Sequence, residues 1–105
     1  MNERIKHLLS YLEEDPKDPF NWYALALEYR QTDPQKTLFY FRKLLKEFPS
    51  YLPTYYHAAA LLADEDEREE AESTYQKGIA LAREQNENNA LRELQNAYNE
   101  FLFED

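Results

Sequence analysis

A chain of 105 residues is long enough for one domain with its own core, and the absence of cysteine excludes a disulfide framework and thiol chemistry. Its 12 basic and 21 acidic residues give a net charge of −9, and all of the excess lies after residue 48. Nucleic acids and anionic membranes bind clustered lysine and arginine, so we expect neither as a partner. Short apolar runs and the lack of a signal peptide predict a cytoplasmic protein, whose acidic half permits a basic partner but is explained more simply by solubility.

Six helices are predicted, because apolar residues recur with a spacing near 3.6 and no segment has the alternation of a strand. Their approximate ranges are 2–14, 19–32, 34–48, 53–64, 67–84 and 88–103. Asp18 and Asp33 are each followed by a proline, and this pairing of a capping residue with a first-turn proline predicts the starts of the second and third helices. Short turns make successive helices antiparallel neighbours.

One pattern of large and small residues occurs twice. Two sets lie 33 residues apart: Trp22, Leu25, Ala26 and Tyr29, then Tyr55, Ala58, Ala59 and Leu62. Further sets follow at a spacing of 34: Thr37, Phe41 and Leu44, then Ala71, Tyr75 and Gly78. Self-similarity at this period indicates stacked helical hairpins, none of which can bury its apolar side alone.

The small residues of the pattern are predicted to lie where two helices approach closely. Ala26 and Ala59 permit such an approach, and Gly78 lowers helix propensity by about 1 kcal/mol, so we expect close packing to require it. The large aromatic residues are predicted to fill the core between the helices. They are Trp22, Tyr29, Phe41, Tyr55 and Tyr75.

The repeated pattern resembles the tetratricopeptide repeat, a helix–turn–helix unit of about 34 residues. The resemblance implies an all-α fold, a right-handed α-solenoid of antiparallel helix hairpins with about six helices. It implies a single domain over residues 1–105. The parts are a half-repeat helix at 1–16, repeats at 19–51 and 52–85, and a capping helix at 88–103.

In this family the first helices of successive repeats line a concave groove that binds peptides. The resemblance places seven residues in that groove: Phe20, Tyr23, Leu27 and Arg30 from the first repeat, and Tyr56, Ala60 and Asp64 from the second. One subclass holds the C-terminal carboxylate of chaperones with lysine and asparagine, and those places are taken here by Tyr23, Leu27, Tyr56 and Ala60. The resemblance therefore implies a scaffold for a protein or peptide ligand other than a chaperone tail, unless the two tyrosines are covered by a terminal helix.

The sequence contains no catalytic or metal-binding constellation. His7 and His57 lie on different predicted helices and lack a patterned serine or aspartate partner. The acidic run at 64–72 lacks the glycine that an EF-hand loop needs, so a solvated turn and helix start is the better interpretation. We predict that the chain is not an enzyme and binds no metal ion or cofactor.

Self-association is the alternative function, with a homodimer formed through the terminal helices. Stacked repeats need polar caps at both ends, but both terminal helices carry several apolar residues. These are Ile5, Leu8, Leu9 and Leu12 at the start, and Phe101, Leu102 and Phe103 at the end. Packing of these residues on neighbouring helices is the competing explanation, and the sequence leaves both open.

Overall fold

The computed structural model describes residues 2–104, which form six α-helices and contain no strand. The helices are α1 (Glu3–Glu14), α2 (Pro19–Tyr29), α3 (Pro34–Glu47), α4 (Pro53–Asp64), α5 (Arg68–Glu84) and α6 (Asn88–Leu102). The predicted all-α class is confirmed. The largest difference is at α2, which ends three residues early because residues 30–33 form a turn. Within residues 2–104, no helix has the length and apolar character needed to cross a membrane.

The helices form two compact units, Met1–Tyr51 and Leu52–Asp105. In unit 1, α1 and α3 both pack on α2. In unit 2, α5 packs on α4 and α6, and α4 also contacts α6. The boundary after Tyr51 coincides with the end of the predicted first repeat, whereas the single-domain interpretation stays a prediction.

Side-chain caps begin all three helices of unit 1. The carboxylate or amide oxygens of Asn2, Asp18 and Asp33 accept hydrogen bonds of 2.7, 3.0 and 3.1 Å from backbone N–H groups in the first turns of α1, α2 and α3. Pro19 and Pro34 occupy the first helical positions, where no N–H partner is lost. The predicted starts of α2 and α3 are therefore confirmed for the predicted reason.

Both turns of unit 2 end the preceding helix with the same backbone motif. After α4, the N–H of Glu67 donates to the carbonyl of Leu62 at 2.8 Å, and the N–H of Asp66 donates to that of Ala63 at 3.1 Å. Asp66 has φ of 62°, and the turn after α5 repeats this arrangement at Asn86, with φ of 58°. This is the Schellman arrangement, built here with Asp and Asn in the left-handed position that glycine usually takes.

The core of unit 1 includes a cluster where α1 lies on α2, besides the buried Leu38, Phe41 and Leu44 of α3. Ile5 and Leu8 of α1 form a buried cluster with Ala24 and Leu25 of α2. Leu9, Leu12, Tyr29 and Tyr40 pack against this cluster. Trp22 and Tyr29, predicted to fill the core between the helices, are only partly buried. Trp22 differs because its indole N–H donates to the carbonyl of Pro16, 2.7 Å away near the surface.

The core of unit 2 is closely packed at Gly78. A methyl group built on its Cα lies only 2.7 Å from Cβ of Tyr55 and 3.4 Å from Cδ1 of Leu94. The prediction that Gly78 marks a close helix approach is therefore confirmed. Tyr55, Tyr75 and the fully buried Ala59 lie in the same core, as the repeat pattern predicts.

Candidate functional site

The predicted binding residues of unit 1 run along one side of α2, because they are spaced three and four residues apart. Phe20 in the first turn is 56% exposed. Tyr23 and Leu27 are half-buried, and Arg30, which caps the C-terminal end, is exposed. This row of residues, here called the α2 stripe, therefore has an exposed aromatic side chain at the N-terminal end of α2 and a cation at its C-terminal end.

Tyr23 is partly a structural residue. Its ring meets that of Tyr51 edge to face, with 5.6 Å between the centroids. Burial raises the pKa of the Tyr23 hydroxyl, and the nearby Arg30 charge lowers it only in part. Burial also raises the pKa of Tyr51, with smaller contributions from Tyr23 and Asp18. Both hydroxyls are thus neutral near pH 7, and the half-buried Tyr23 ring packs on Tyr51.

A shallow depression of about 380 Å³ lies beside this pair of rings. It is lined by Pro19, Glu47, Phe48, Pro49, Ser50 and Tyr51. Most of this lining is apolar or aromatic, so the depression suits an apolar side chain better than an ion. The sequence pattern does not reveal it, because it joins the start of α2 to the end of α3 and the following turn.

The predicted residues of unit 2 form a similar stripe on α4. Tyr56 is 40% exposed and its ring meets that of His57 at 5.5 Å. Ala60 is half-buried, and Asp64, the last residue of α4, is exposed. The opposite side of α4 is buried in unit 2, so this stripe is the side that α4 leaves accessible.

Unit 1 has a second exposed surface, on α3. This helix has a net charge of +3, whereas each of the other five helices has −1. Phe39 is 62% exposed in the middle of its polar side. The surface, here called the α3 basic face, surrounds a depression of about 370 Å³ lined by Gln35, Phe39, Arg42, Lys43, Lys46 and Glu47. The sequence indicates this surface only through Phe39, an apolar residue that does not fit the apolar periodicity of α3.

The apolar end of the chain is divided between core and surface. Phe101 is buried, whereas Leu102 is 49% and Phe103 is 88% exposed. Arg68 lies 4.1 Å above the Phe101 ring and donates to the carbonyls of Phe101 at 3.0 Å and Glu104 at 3.4 Å. These contacts hold residues 102–104, here called the C-terminal turn, in a defined position at the end of α6.

The histidines weighed as catalytic residues lie on different helices. His7 is exposed on α1, and His57 is half-buried on α4 beside Tyr56. Within residues 2–104, no group of three or more histidine, aspartate or glutamate side chains is arranged to hold a metal ion. The absence of a cofactor stays a prediction.

Two solved structures resemble this chain over most of its length. One is the solution structure of a tetratricopeptide repeat domain protein from Salinibacter ruber, with 40% identity, a TM-score of 0.77, and coverage of 83% of this chain and 89% of that one. The other is a crystal structure of a tetratricopeptide repeat domain protein from the same organism, with 37% identity, a TM-score of 0.78, and coverage of 82% and 98%. Neither a family model nor a curated protein matches this sequence.

Proposed function

This chain belongs to the tetratricopeptide repeat family, and we propose that it is a non-enzymatic scaffold that binds a peptide or partner helix through the exposed sides of α2 and α4. Proteins with this fold generally mediate contacts between proteins. The observation that carries the proposal is the exposure of Phe20 and Tyr56 in the first turns of these two helices. Exposed aromatic residues are enriched where proteins bind one another.

The side chains on these stripes favour a ligand with apolar residues. Tyr23, Leu27 and Ala60 leave an apolar surface between the exposed rings and the charged ends of α2 and α4. Aromatic side chains supply large contact areas and lose few rotamers on binding. Arg30 and Asp64 carry opposite charges, so a ligand with charges of its own would be bound in one orientation.

The depression beside Tyr51 extends the α2 stripe. An apolar ligand residue that enters it would lie between Pro19 and Phe48 and displace water from both. Tyr51 lines the depression and its ring packs on that of Tyr23 at 5.6 Å, so the ligand would contact a ring that is already held in place. We therefore expect ligands to share one large apolar residue.

The test is selection of short peptides from a displayed random library on the wild-type chain, followed by titration of a selected peptide. Phe20→Ala and Tyr56→Ala should each weaken binding about tenfold or more. Tyr11→Ala is the matched control, because Tyr11 is exposed on α1, outside both stripes. Unchanged circular dichroism shows that the fold is intact, and binding that neither variant weakens would refute the assignment of the two stripes.

Self-association is a second candidate function, and the exposure of Phe103 favours it. The start of the chain contributes less than expected, because Ile5 and Leu8 are buried against α2. The measurement is molar mass by light scattering after size-exclusion chromatography, over a hundredfold range of concentration. A monomer at every concentration would exclude this function and leave the peptide-binding proposal intact.

A further inference from the structure

The turn between α4 and α5 is acidic at each of its four positions. Its residues 64–67, here called the acidic turn, are all aspartate or glutamate and are all exposed. Residues 84–87 form the corresponding turn after α5 with the same backbone hydrogen bonds, and its two middle positions are the neutral Gln85 and Asn86. The backbone conformation therefore does not require four carboxylates.

The carboxylates of the acidic turn are not balanced where they lie. Asp64 ends α4, where the helix dipole already places partial negative charge, and the last turn of α4 has no basic residue. The last turn of α5, by contrast, contains Arg83. Within residues 2–104, no lysine or arginine forms an ion pair with Asp64, Asp66 or Glu67, and the Glu67 side chain does not cap α5. The free chain thus has an excess of negative charge at this end of α4.

Arg68 directly follows the acidic turn, but its charge is directed toward α6. Its guanidinium lies 4.1 Å from the centroid of the Phe101 ring and donates to two backbone carbonyls near the end of α6. Burial raises the pKa of the Tyr75 hydroxyl, and four nearby groups, Tyr56 and Asp64 among them, raise it further with no cation to lower it. Both observations indicate that the negative potential beside α4 is not offset by a neighbouring cation.

The acidic turn continues the α4 stripe, which consists of Tyr56, Ala60 and Asp64. These residues are four apart and therefore lie on one side of α4. Tyr56 is 40% exposed near the start of the helix, and Asp64 is exposed at its end. At 1.5 Å per residue, the two are about 12 Å apart along α4. The stripe thus offers an aromatic contact and, a short distance away, a place for a positive charge.

We infer that the ligand of the α4 stripe is a basic peptide segment, which packs an apolar residue on Tyr56 and places a lysine or arginine at the acidic turn. The inference rests on the proposed function and names the chemistry of its ligand. The charge of −9 on the whole chain attracts such a segment at long range, so added salt should weaken and slow binding. An acidic segment would meet like charge at this end of α4 and would be disfavoured.

The length of the stripe predicts the pattern of the ligand sequence. An extended peptide rises about 3.3 Å per residue, so it covers about 12 Å in about four residues. Short peptides selected from a displayed random library on the wild-type chain should therefore contain lysine or arginine about four positions from a large apolar residue. Selection on a chain with Asp64→Lys and Glu67→Lys should not enrich these basic residues.

Titration of one selected peptide tests the contact directly. Asp64→Lys with Glu67→Lys should weaken binding about tenfold or more, because like charges then face each other. Lysine at position 64 should not disturb the fold, because cations are favoured at the C-terminal end of a helix. A second peptide, with glutamate in place of its basic residue, should bind the wild type weakly and the altered chain more tightly, because the exchange restores opposite charges.

The turn after α5 supplies a matched control. Glu84→Lys with Glu87→Lys changes the net charge by the same amount, at the corresponding positions of the same backbone motif. The one aromatic residue of α5, Tyr75, is buried, so this turn does not continue an exposed aromatic stripe. The control should bind the peptide as the wild type does, and circular dichroism of every variant establishes that the helices are intact.

The outcomes separate this inference from the function on which it rests. A wild-type chain that selects no peptide overturns the proposed function and this inference together. Binding that Tyr56→Ala weakens, but that the Asp64 and Glu67 changes leave unaltered, overturns this inference alone. Equal weakening by the Glu84 and Glu87 changes also overturns it, because net charge rather than the α4 stripe would then attract the peptide. Weakening at the acidic turn only, with recovery by the exchanged peptide, supports the contact.

Discussion

Replacing Gly78 with alanine sets a gain in helix propensity against a loss in packing. Alanine in the middle of α5 is favoured over glycine by about 1 kcal/mol. The new methyl carbon, however, would lie 2.7 Å from Cβ and 3.2 Å from Cγ of Tyr55. Carbon atoms normally approach to about 3.5–4.0 Å, so the overlap is close to 1 Å.

The overlap at Gly78 cannot be relieved by a rotation of a side chain. Cβ of Tyr55 is attached directly to the backbone of α4, so α4 and α5 would have to separate. Overpacking of this kind costs about 1–3 kcal/mol, and a fixed atom places it in the upper part of that range. After the gain in propensity, we expect Gly78→Ala to lower the free energy of unfolding by about 1–2 kcal/mol.

Urea unfolding followed by far-UV circular dichroism measures this difference. The midpoint should fall by about 0.5–1 M for Gly78→Ala, given slopes of about 2 kcal/mol per M. Ala80→Gly is the control, because Ala80 is exposed on the same helix and its change measures propensity without packing. A midpoint for Gly78→Ala at or above that of the wild type would refute the packing argument.

Three further predictions concern the core and its tyrosines. Ala59→Leu should lower the free energy of unfolding by about 1–3 kcal/mol, because Ala59 is fully buried, and an unchanged melting temperature would contradict this. Thr54→Val should raise stability by about 1 kcal/mol, because the Thr54 hydroxyl is buried and has no partner among the described residues. Thr74→Val should give no such gain in urea unfolding, because that hydroxyl already donates to a carbonyl at 2.7 Å, and equal shifts would argue against the reasoning. Burial raises the pKa of Tyr23 and Tyr75, so their contribution to stability is complete below about pH 10 and is lost as the pH rises through the raised values. Unfolding midpoints should therefore fall above about pH 10, and constant midpoints there would show that these hydroxyls ionise equally in both states.

The helix starts of unit 1 follow from short-range sequence signals. Asp18 and Asp33 cap the first turns of α2 and α3, and the prolines after them fit the first helical position. A segment of three or four residues is therefore enough to predict where each of these helices starts. The turns of unit 2 are harder to predict in detail. Asp66 and Asn86 adopt positive φ because backbone hydrogen bonds close the helix end there, although glycine is the residue that usually indicates this conformation.

The exposure of individual side chains depends on contacts that no local pattern encodes. Tyr23 is half-buried by Tyr51, which comes from the turn after α3. Phe101 is covered by Arg68, which is 33 residues earlier in the chain. The helical period identifies apolar positions, but it does not predict that Phe103 is largely exposed. The family resemblance therefore predicts candidate binding residues, and the structure decides how much of each is accessible.

The environment of Trp22 makes unit 1 optically distinct. Trp22 is the single tryptophan of the chain, and it lies in unit 1. Its indole is held by a 2.7 Å hydrogen bond and lies within 6.0 Å of the Tyr40 ring, so its emission should shift when this packing opens. Fluorescence thus follows one half of the chain, while circular dichroism follows all six helices. Coincident transitions by the two signals would establish a single cooperative unfolding event without any added label.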